Sequence, residues 1–404
     1  MIDLRHYWPM THRGPVDSSA QRAPLLAQLA ALQAQLTAWL VNAAYPLWAR
    51  HGVDSSNGGF FEVLGQDGVG LPLARRARVH PRQVYAFAQA GAFGWAGDVA
   101  GIVGRGMEYF TAHYRRSDGL FRALAAPDGT ILDDRALLYD QAFALLGLAA
   151  AAAALDARAE FESRALELRG LIEHRLGTPD GSLRSEESAD AVRESNPHMH
   201  LLEACLAWSE IGDDAGWAAW ARRLADLALT RFIRKDSGTV GESYTAAWQP
   251  APGRAGRIVE PGHQFEWAWL LLRCESLHPA PLRESALRLL ALGERYGVRH
   301  GVAINALFDD FTVADANARF WPQTERLKAA LLAATLTGEV NYWSMAHAAA
   351  ASFFPYLKTA VSGLWFDVQQ PDGALIIEPA PASTFYHLVG ALAALNTALP
   401  HADR

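Results

Sequence analysis

The chain has 404 residues, 50% of them hydrophobic and 20% charged, which is enough apolar material for a large core and too much for a disordered chain. Its formal net charge is −7 and its Lys and Arg residues are scattered, which excludes the basic stripe that a nucleic-acid partner requires. The N-terminal MIDLRHYWPMTHRG lacks the apolar run of a leader, and the longest apolar stretch, 142–154, falls short of the roughly 20 residues that span a bilayer, so no membrane contact and a cytoplasmic location are expected.

In chain order, a Gly-rich alternating segment followed by an apolar or aromatic helical segment recurs about every 60 residues. GGFFEVLGQDG (58–68) precedes a helix from Arg82 (RQVYAFAQA), and DGLFRALAAPDGTILDD precedes one from Asp140 (DQAFALLGLA). DGSLRSEE leads to Met199 (MHLLEACLAW), and SGTVGESYTAAWQP leads to Phe265 (FEWAWLLL). GVAINALFDDFTVAD leads to Pro322 (PQTERLKAALLA), and GLWFDVQQPDGALIIEP to Phe385 (FYHLVGALAAL). Asp128-Gly129 and Asp372-Gly373 are hairpin turn signals, so the alternating segments read as short strands or hairpins. After each such helix comes a second, more amphipathic one, of which 215–232 is the clearest example. Six helix pairs without a polar capping repeat at either end predict a closed all-α toroid with the more apolar helices inside. No linker or charge block divides 1–404, which reads as a single domain.

The polar residues of the inner helices gather at the helix starts: Arg82, Asp140, His200, His263 with Glu266, Glu325 and His387. In a toroid these starts share one end, where unpaired N–H groups and the aromatic residues Phe60, Tyr85, Trp267, Trp269, Trp321 and Tyr386 would form a pocket suited to a sugar. Trp267 and Trp269 cannot share a helix face, so at most one of them should touch the ligand. The two cysteines, Cys205 and Cys274, lie in apolar helical patterns and read as small buried hydrophobes. His198 and His200 form an H-x-H pair, but no HExxH or Cys/His cluster completes a ligand set, so no metal is expected. His51, His80, His113, His174, His300 and His347 carry no spacing signal and read as surface or structural.

The segments GGFFEVLGQDG, RVHPRQVYAFAQA, NPHMHLLEACLAW, EPGHQFEWAWLL, FWPQTERLKAALLA and STFYHLVGAL, six in order over roughly 30–398, resemble the N-acylglucosamine 2-epimerase superfamily. NPHMHLLEA, EPGHQFEWAWLL and WPQTERLKAA are most similar to its bacterial mannose-isomerase branch, which converts mannose, and in some members lyxose, to the 2-ketose. The resemblance implies an (α/α)6 barrel with short β-hairpins at its mouth and no cofactor. Its site would carry Arg82 on the first inner helix, His200 on the third, His263 and Glu266 on the fourth, Glu325 on the fifth and His387 on the sixth. Pro81 directly before Arg82 departs from the family pattern and puts the entry of that helix in question. No Gly-Lys dipeptide is present, so a phosphate-binding loop for nucleotide activation is not expected.

Moving a carbonyl between C1 and C2 requires acid/base groups poised near neutrality, and histidine suits that task. A helix N-terminus would bias both imidazoles toward the neutral form, with Ser383 and Thr384 as N-caps before His387. His387 is expected to carry the proton from C2 to C1. His263, held by Glu266 three residues on, would handle ring opening and the oxygen-bound protons. Arg82 would hold the enediolate, while His200, Glu325 and Trp321 would bind the sugar. Both histidines should lie within roughly 15 Å of each other to serve one substrate. The partner is then a monosaccharide, with a homodimer left open. The rival readings are a sugar 2-epimerase, a glycoside hydrolase using Glu266 and Glu325, and a non-enzymatic sugar-binding toroid.

Overall fold

The computed structural model describes residues 18–188, 192–278 and 282–399. The N-terminal stretch read above for a leader lies outside them. Among the described residues, twelve helices build the barrel. The outer ones are α1 (Ser18–Trp39), α3 (Val99–Tyr114), α5 (Arg158–Leu176), α7 (Gly216–Leu227), α9 (Leu282–Leu292) and α11 (Val340–Ala351). The inner ones are α2 (Val79–Ala88), α4 (Leu138–Ala154), α6 (Ser195–Ile211), α8 (Pro261–Cys274), α10 (Trp321–Thr337) and α12 (Ala382–Ala398). Each inner helix packs on the next, and α12 returns to α2, so the ring is closed. The sixth pair is made by the two ends of the chain, α1 lying outside α12 and α11.

The apolar pattern assigns the two layers. In α7, Trp217, Trp220, Ala221, Leu224 and Ala225 recur at helical spacing and are the buried face, leaving a charged face outside. In α4 the buried residues run all the way round, as required of a helix with neighbours on every side. Cys205 and Cys274 are free and buried, as expected. The segment Arg22–Gly52 is long and apolar enough to cross a membrane by length and composition, a helix that the reading of 142–154 overlooked. In the barrel, its Leu29, Leu36, Leu40 and Tyr45 are fully or almost fully buried in the core.

The strands are two or three residues long and tie neighbouring repeats together. The pair 75–76 leading into α2 bonds to 124–125 of the next repeat, and 193–194 before α6 bonds to 243–244. The same holds for 258–259 with 306–308, for 318–319 with 368–369, and for 380–381 with 63–64, which joins the last repeat to the first. Hairpins within a repeat also occur, as at 124–125 with 131–133, but the interlock between repeats shapes the mouth.

A buried latch near the start of each inner helix fixes this ring. Gln141, Gln264 and Gln323 each accept from and donate to one backbone unit, that of Phe121, Val240 and Ala303 respectively. His80 accepts from the Phe60 N–H and His198 from the Leu183 N–H, so both are structural. Thr384 donates to Asp367 at 2.9 Å and does not cap its helix, which begins at Ala382 without a side-chain cap. Each latch satisfies polar groups whose orphaning would cost about 1–3 kcal/mol.

Candidate active site

The latches set the rotation of each inner helix, and the residues beside them enter the lumen from its first two turns. His263 is next to Gln264, Glu325 follows Gln323, His200 follows His198, and His387 follows Thr384. His263 and His387 both pack against Trp321, with ring centroids 5.2 and 5.5 Å from it, which keeps the two imidazoles well within the expected separation. Arg82 joins them: its guanidinium donates to the Tyr139 hydroxyl at 2.7 Å and lies over the Phe143 ring at 4.0 Å. Arg82 also lies over the ring of Tyr386, which packs on His387, so Pro81 has not diverted it from the two histidines.

His263 presents Nδ1 to Glu242 Oε2 at 2.8 Å, with Glu260 at 3.8 Å. Glu242 is itself held by the Ser195 hydroxyl at 3.3 Å and the Glu260 N–H at 3.2 Å. Burial disfavours the charged imidazole, but Glu242 and Glu260 outweigh it and lift His263 to about 10. It is an imidazolium at neutral pH. Two expectations change here. The carboxylate on His263 is Glu242 and not Glu266, because the loop before α8 closes over the helix start. The helix end does not keep His263 neutral, because two nearby carboxylates exceed the effect of a partial dipole charge.

His387 lies deeper. Its Nδ1 meets Glu325 Oε1 at 2.8 Å, and the second oxygen of Glu325 meets Lys328 Nζ at 2.6 Å. Burial, then Arg82 and Lys328, hold His387 well below its ordinary value, so it is neutral. A carboxylate can only accept, so Nδ1 carries the proton and Nε2 the lone pair. Glu325, expected to bind sugar, is placed instead as the partner of His387.

Sequence reasoning missed a third group. His200 Nδ1 stands 3.2 Å from Glu203 Oε2, and Glu203 also accepts from the Tyr386 hydroxyl. Burial drives His200 down to about 3, while His200 and Lys328 overcome burial to hold Glu203 down to about 2. Glu266 lies 3.8 Å from His200, and neither of its oxygens has a hydrogen-bond partner. Burial, reinforced by Glu325, pushes it well above the carboxylate range, so it is a neutral acid. Asp140 is taken by Arg78 at 2.9 Å. Of the expected aromatic ring, Phe60, Trp267 and Tyr386 are packed into the wall, with Phe60 and Trp267 in the inter-helix core. Trp321, Tyr85 and Trp269 remain partly accessible.

The fold also assembles groups that the sequence did not display as ligand sets. His200, Glu203 and Glu266 form one, Glu242, Glu260 and His263 a second, and Glu266, Glu325 and His387 a third, each with candidate ligand atoms within 4.8 Å. Lys328, whose ammonium meets Glu325, already places a positive charge beside both interior sets.

A family model described as N-acylglucosamine 2-epimerase (GlcNAc 2-epimerase) matches residues 59–391. A mannose-6-phosphate isomerase from Rhizobium meliloti is 45% identical over 374 residues, covering 90% of this chain and 97% of its own. A D-mannose isomerase from Thermobifida fusca is 28% identical over 393 residues, covering 87% and 92%. A crystal structure of D-mannose isomerase shares the fold with a TM-score of 0.81 at 24% identity, covering 91% and 97%.

Proposed function

We propose, from the premise that the chain belongs to the N-acylglucosamine 2-epimerase family, that this sugar isomerase/epimerase is an aldose–ketose isomerase interconverting D-mannose and D-fructose, with D-lyxose a second aldose. The observation that carries the reading is the pair of imidazoles on either side of Trp321, each with Nδ1 on a glutamate oxygen, where nearby carboxylates favour the protonated form of His263 while burial and nearby cations favour the neutral form of His387. His263, an acid, gives its proton to the ring oxygen as the pyranose opens and takes up the proton that leaves the O1 hydroxyl, so that it is again an imidazolium. His387, a base with a free Nε2, removes the C2 proton, and the C2–H electron pair moves into a C1–C2 double bond while the carbonyl electrons go to O1. The cis-enediolate oxygens face the Arg82 guanidinium and the neutral acid Glu266, which offer charge-assisted and neutral hydrogen bonds. His263 protonates O1 and takes the proton from O2. His387 then returns its proton to C1, leaving the carbonyl at C2.

A 2-epimerase needs a second base on the opposite face of C2. The two reactions differ in where the proton of His263 goes: to C2 from the opposite face in a 2-epimerase, to the sugar oxygens in the isomerase proposed here. The Rhizobium meliloti relative brings in a second reading, in which the aldose carries a 6-phosphate. Both readings are tested by incubating the protein in D2O with D-mannose, D-lyxose and mannose 6-phosphate separately and following products by NMR. Ketose should precede any epimer, and some C2 hydrogen should be retained at C1. Glucose appearing first from mannose, with full deuterium at C2, overturns the isomerase. Turnover of the phosphate ester alone would replace the free sugar as substrate. Metal independence is part of the same proposal, because carboxylates already engage the Nδ1 atoms of His263 and His387.

A further inference from the structure

Below the histidines the lumen holds three acidic side chains, Glu203, Glu266 and Glu325, none more than 3% exposed. Lys328, also almost fully buried, is the ammonium among them. It comes from the second turn of α10, three residues after Glu325, and its Nζ lies 3.8 Å from the centroid of the Trp269 ring. An ammonium this deep in an apolar helix pays a large desolvation penalty unless it is paired. Among the described residues its nearest carboxylate oxygen is Glu325 Oε2, while the oxygens of Glu266 have no hydrogen-bond partner. The geometry is a chain: Lys328 Nζ, the two oxygens of Glu325, then His387 Nδ1.

We infer that Lys328 is a positioning residue for the isomerisation proposed above: by occupying one oxygen of Glu325 it keeps the other an acceptor for His387 Nδ1–H, and so keeps the lone pair on Nε2. The groups facing Glu325 make this necessary. Glu266 approaches from α8, Glu203 and His200 from α6, Tyr85 from α2, and His387 and Tyr386 from α12. On the outer side Glu294 is taken by Arg326. Burial lifts Glu325, and Lys328 is the strongest influence drawing it back. Without that ammonium, burial and the charge of Glu203 leave Glu325 to take up a proton. A protonated Glu325 donates to Nδ1, the imidazole proton moves to Nε2, and the base is lost while every heavy atom stays in place. His200 pairs instead with Glu203, whose same oxygen also accepts from the Tyr386 hydroxyl.

The test combines kinetics with the tautomer of His387, read by two-bond 1H–15N correlation on protein labelled at histidine nitrogen and assigned by difference from His387→Gln. Wild type should show Nδ1–H at neutral pH. Lys328→Met should remain stacked on Trp269, show Nε2–H at His387, and lower kcat by about 100-fold or more with KM changed less than about threefold. The acid limb of its kcat profile should move to higher pH, since Glu325 now binds its proton more tightly. Lys328→Arg should recover at least about tenfold of the lost kcat and the Nδ1–H tautomer, as an added guanidinium keeps the charge. A folded Lys328→Met with kcat within about threefold of wild type overturns the inference, as does lost activity with the tautomer unchanged. If that variant does not fold, the wild-type spectrum still decides, because Nε2–H at His387 contradicts the chain outright. A wild type that forms no ketose removes the isomerase reading, and the tautomer shift is then scored independently of substrate.

Discussion

His263 at the mouth and His387 in the lumen each offer Nδ1 to a glutamate oxygen at 2.8 Å, yet they stand on opposite sides of neutrality. Around His263 the nearby charges are the carboxylates Glu242 and Glu260. Around His387 the cations Arg82 and Lys328 add to burial. A single hydrogen bond therefore does not set an imidazole's charge; the surrounding groups do. Pairs of titrating groups driven apart in this way mark an acid and a base.

The comparison breaks most sharply at the base. His387→Ala should reduce turnover by roughly 10²–10⁴-fold and stop exchange of the C2 proton with solvent, both read by NMR. Persistent C2 exchange in that variant would move the base elsewhere. Next in size is Glu242→Gln, which removes the partner that lifts His263. The acid form of His263 is active below its pKa, so the alkaline limb of kcat, near 10 in the wild type, should fall toward neutrality with a loss of about 10–100-fold. Glu260→Gln, at 3.8 Å and without a hydrogen bond to the ring, should move that limb less.

Stability should show the same contrast. His263 has a folded pKa above its unfolded value, so its contribution is fully present below about 6.5 and is lost as pH rises through about 10. Its size is on the order of a few kcal/mol. His387 is depressed, as are His80, His198 and His200, and these contribute above about 6.5 and lose that contribution as pH falls. Urea titrations should therefore show His263→Gln flattening only the alkaline fall. A variant that flattened the acid side instead would reverse the assignment. The smallest effect is expected from prolonged chelation, which should leave activity unchanged. Activity lost to chelator and restored by a divalent ion would give the carboxylate–histidine sets a different role.

Much of the site could be read before folding. Arg82, His200, His263, Glu325 and His387 stand near equivalent helix starts in a repeat of about 60 residues, and a closed ring brings such starts to one end. Their partners were not legible by the same rule. Glu242 sits beside a strand that pairs with the neighbouring repeat, 21 residues from His263 in sequence. Lys328 left a trace, a lone lysine inside the apolar run LKAALLA, but nothing local shows that it faces Glu325 and Trp269. The Gln141, Gln264 and Gln323 latches also recur in register, a repeat of polar residues that apolar periodicity alone passes over.

The sequence by itself determined the six-fold repeat, which helices face inward, and the helix starts at which Arg82, His200, His263, Glu325 and His387 stand. Those follow from periodicity and turn chemistry, which act over a few residues. Only the tertiary structure decided that Glu242 holds His263, that Glu325 holds His387, and that Glu266 stands alone. It also decided the charge on each imidazole, because that depends on burial and on the sum of fields from groups carried by separate helices, and neither is a property of any one segment.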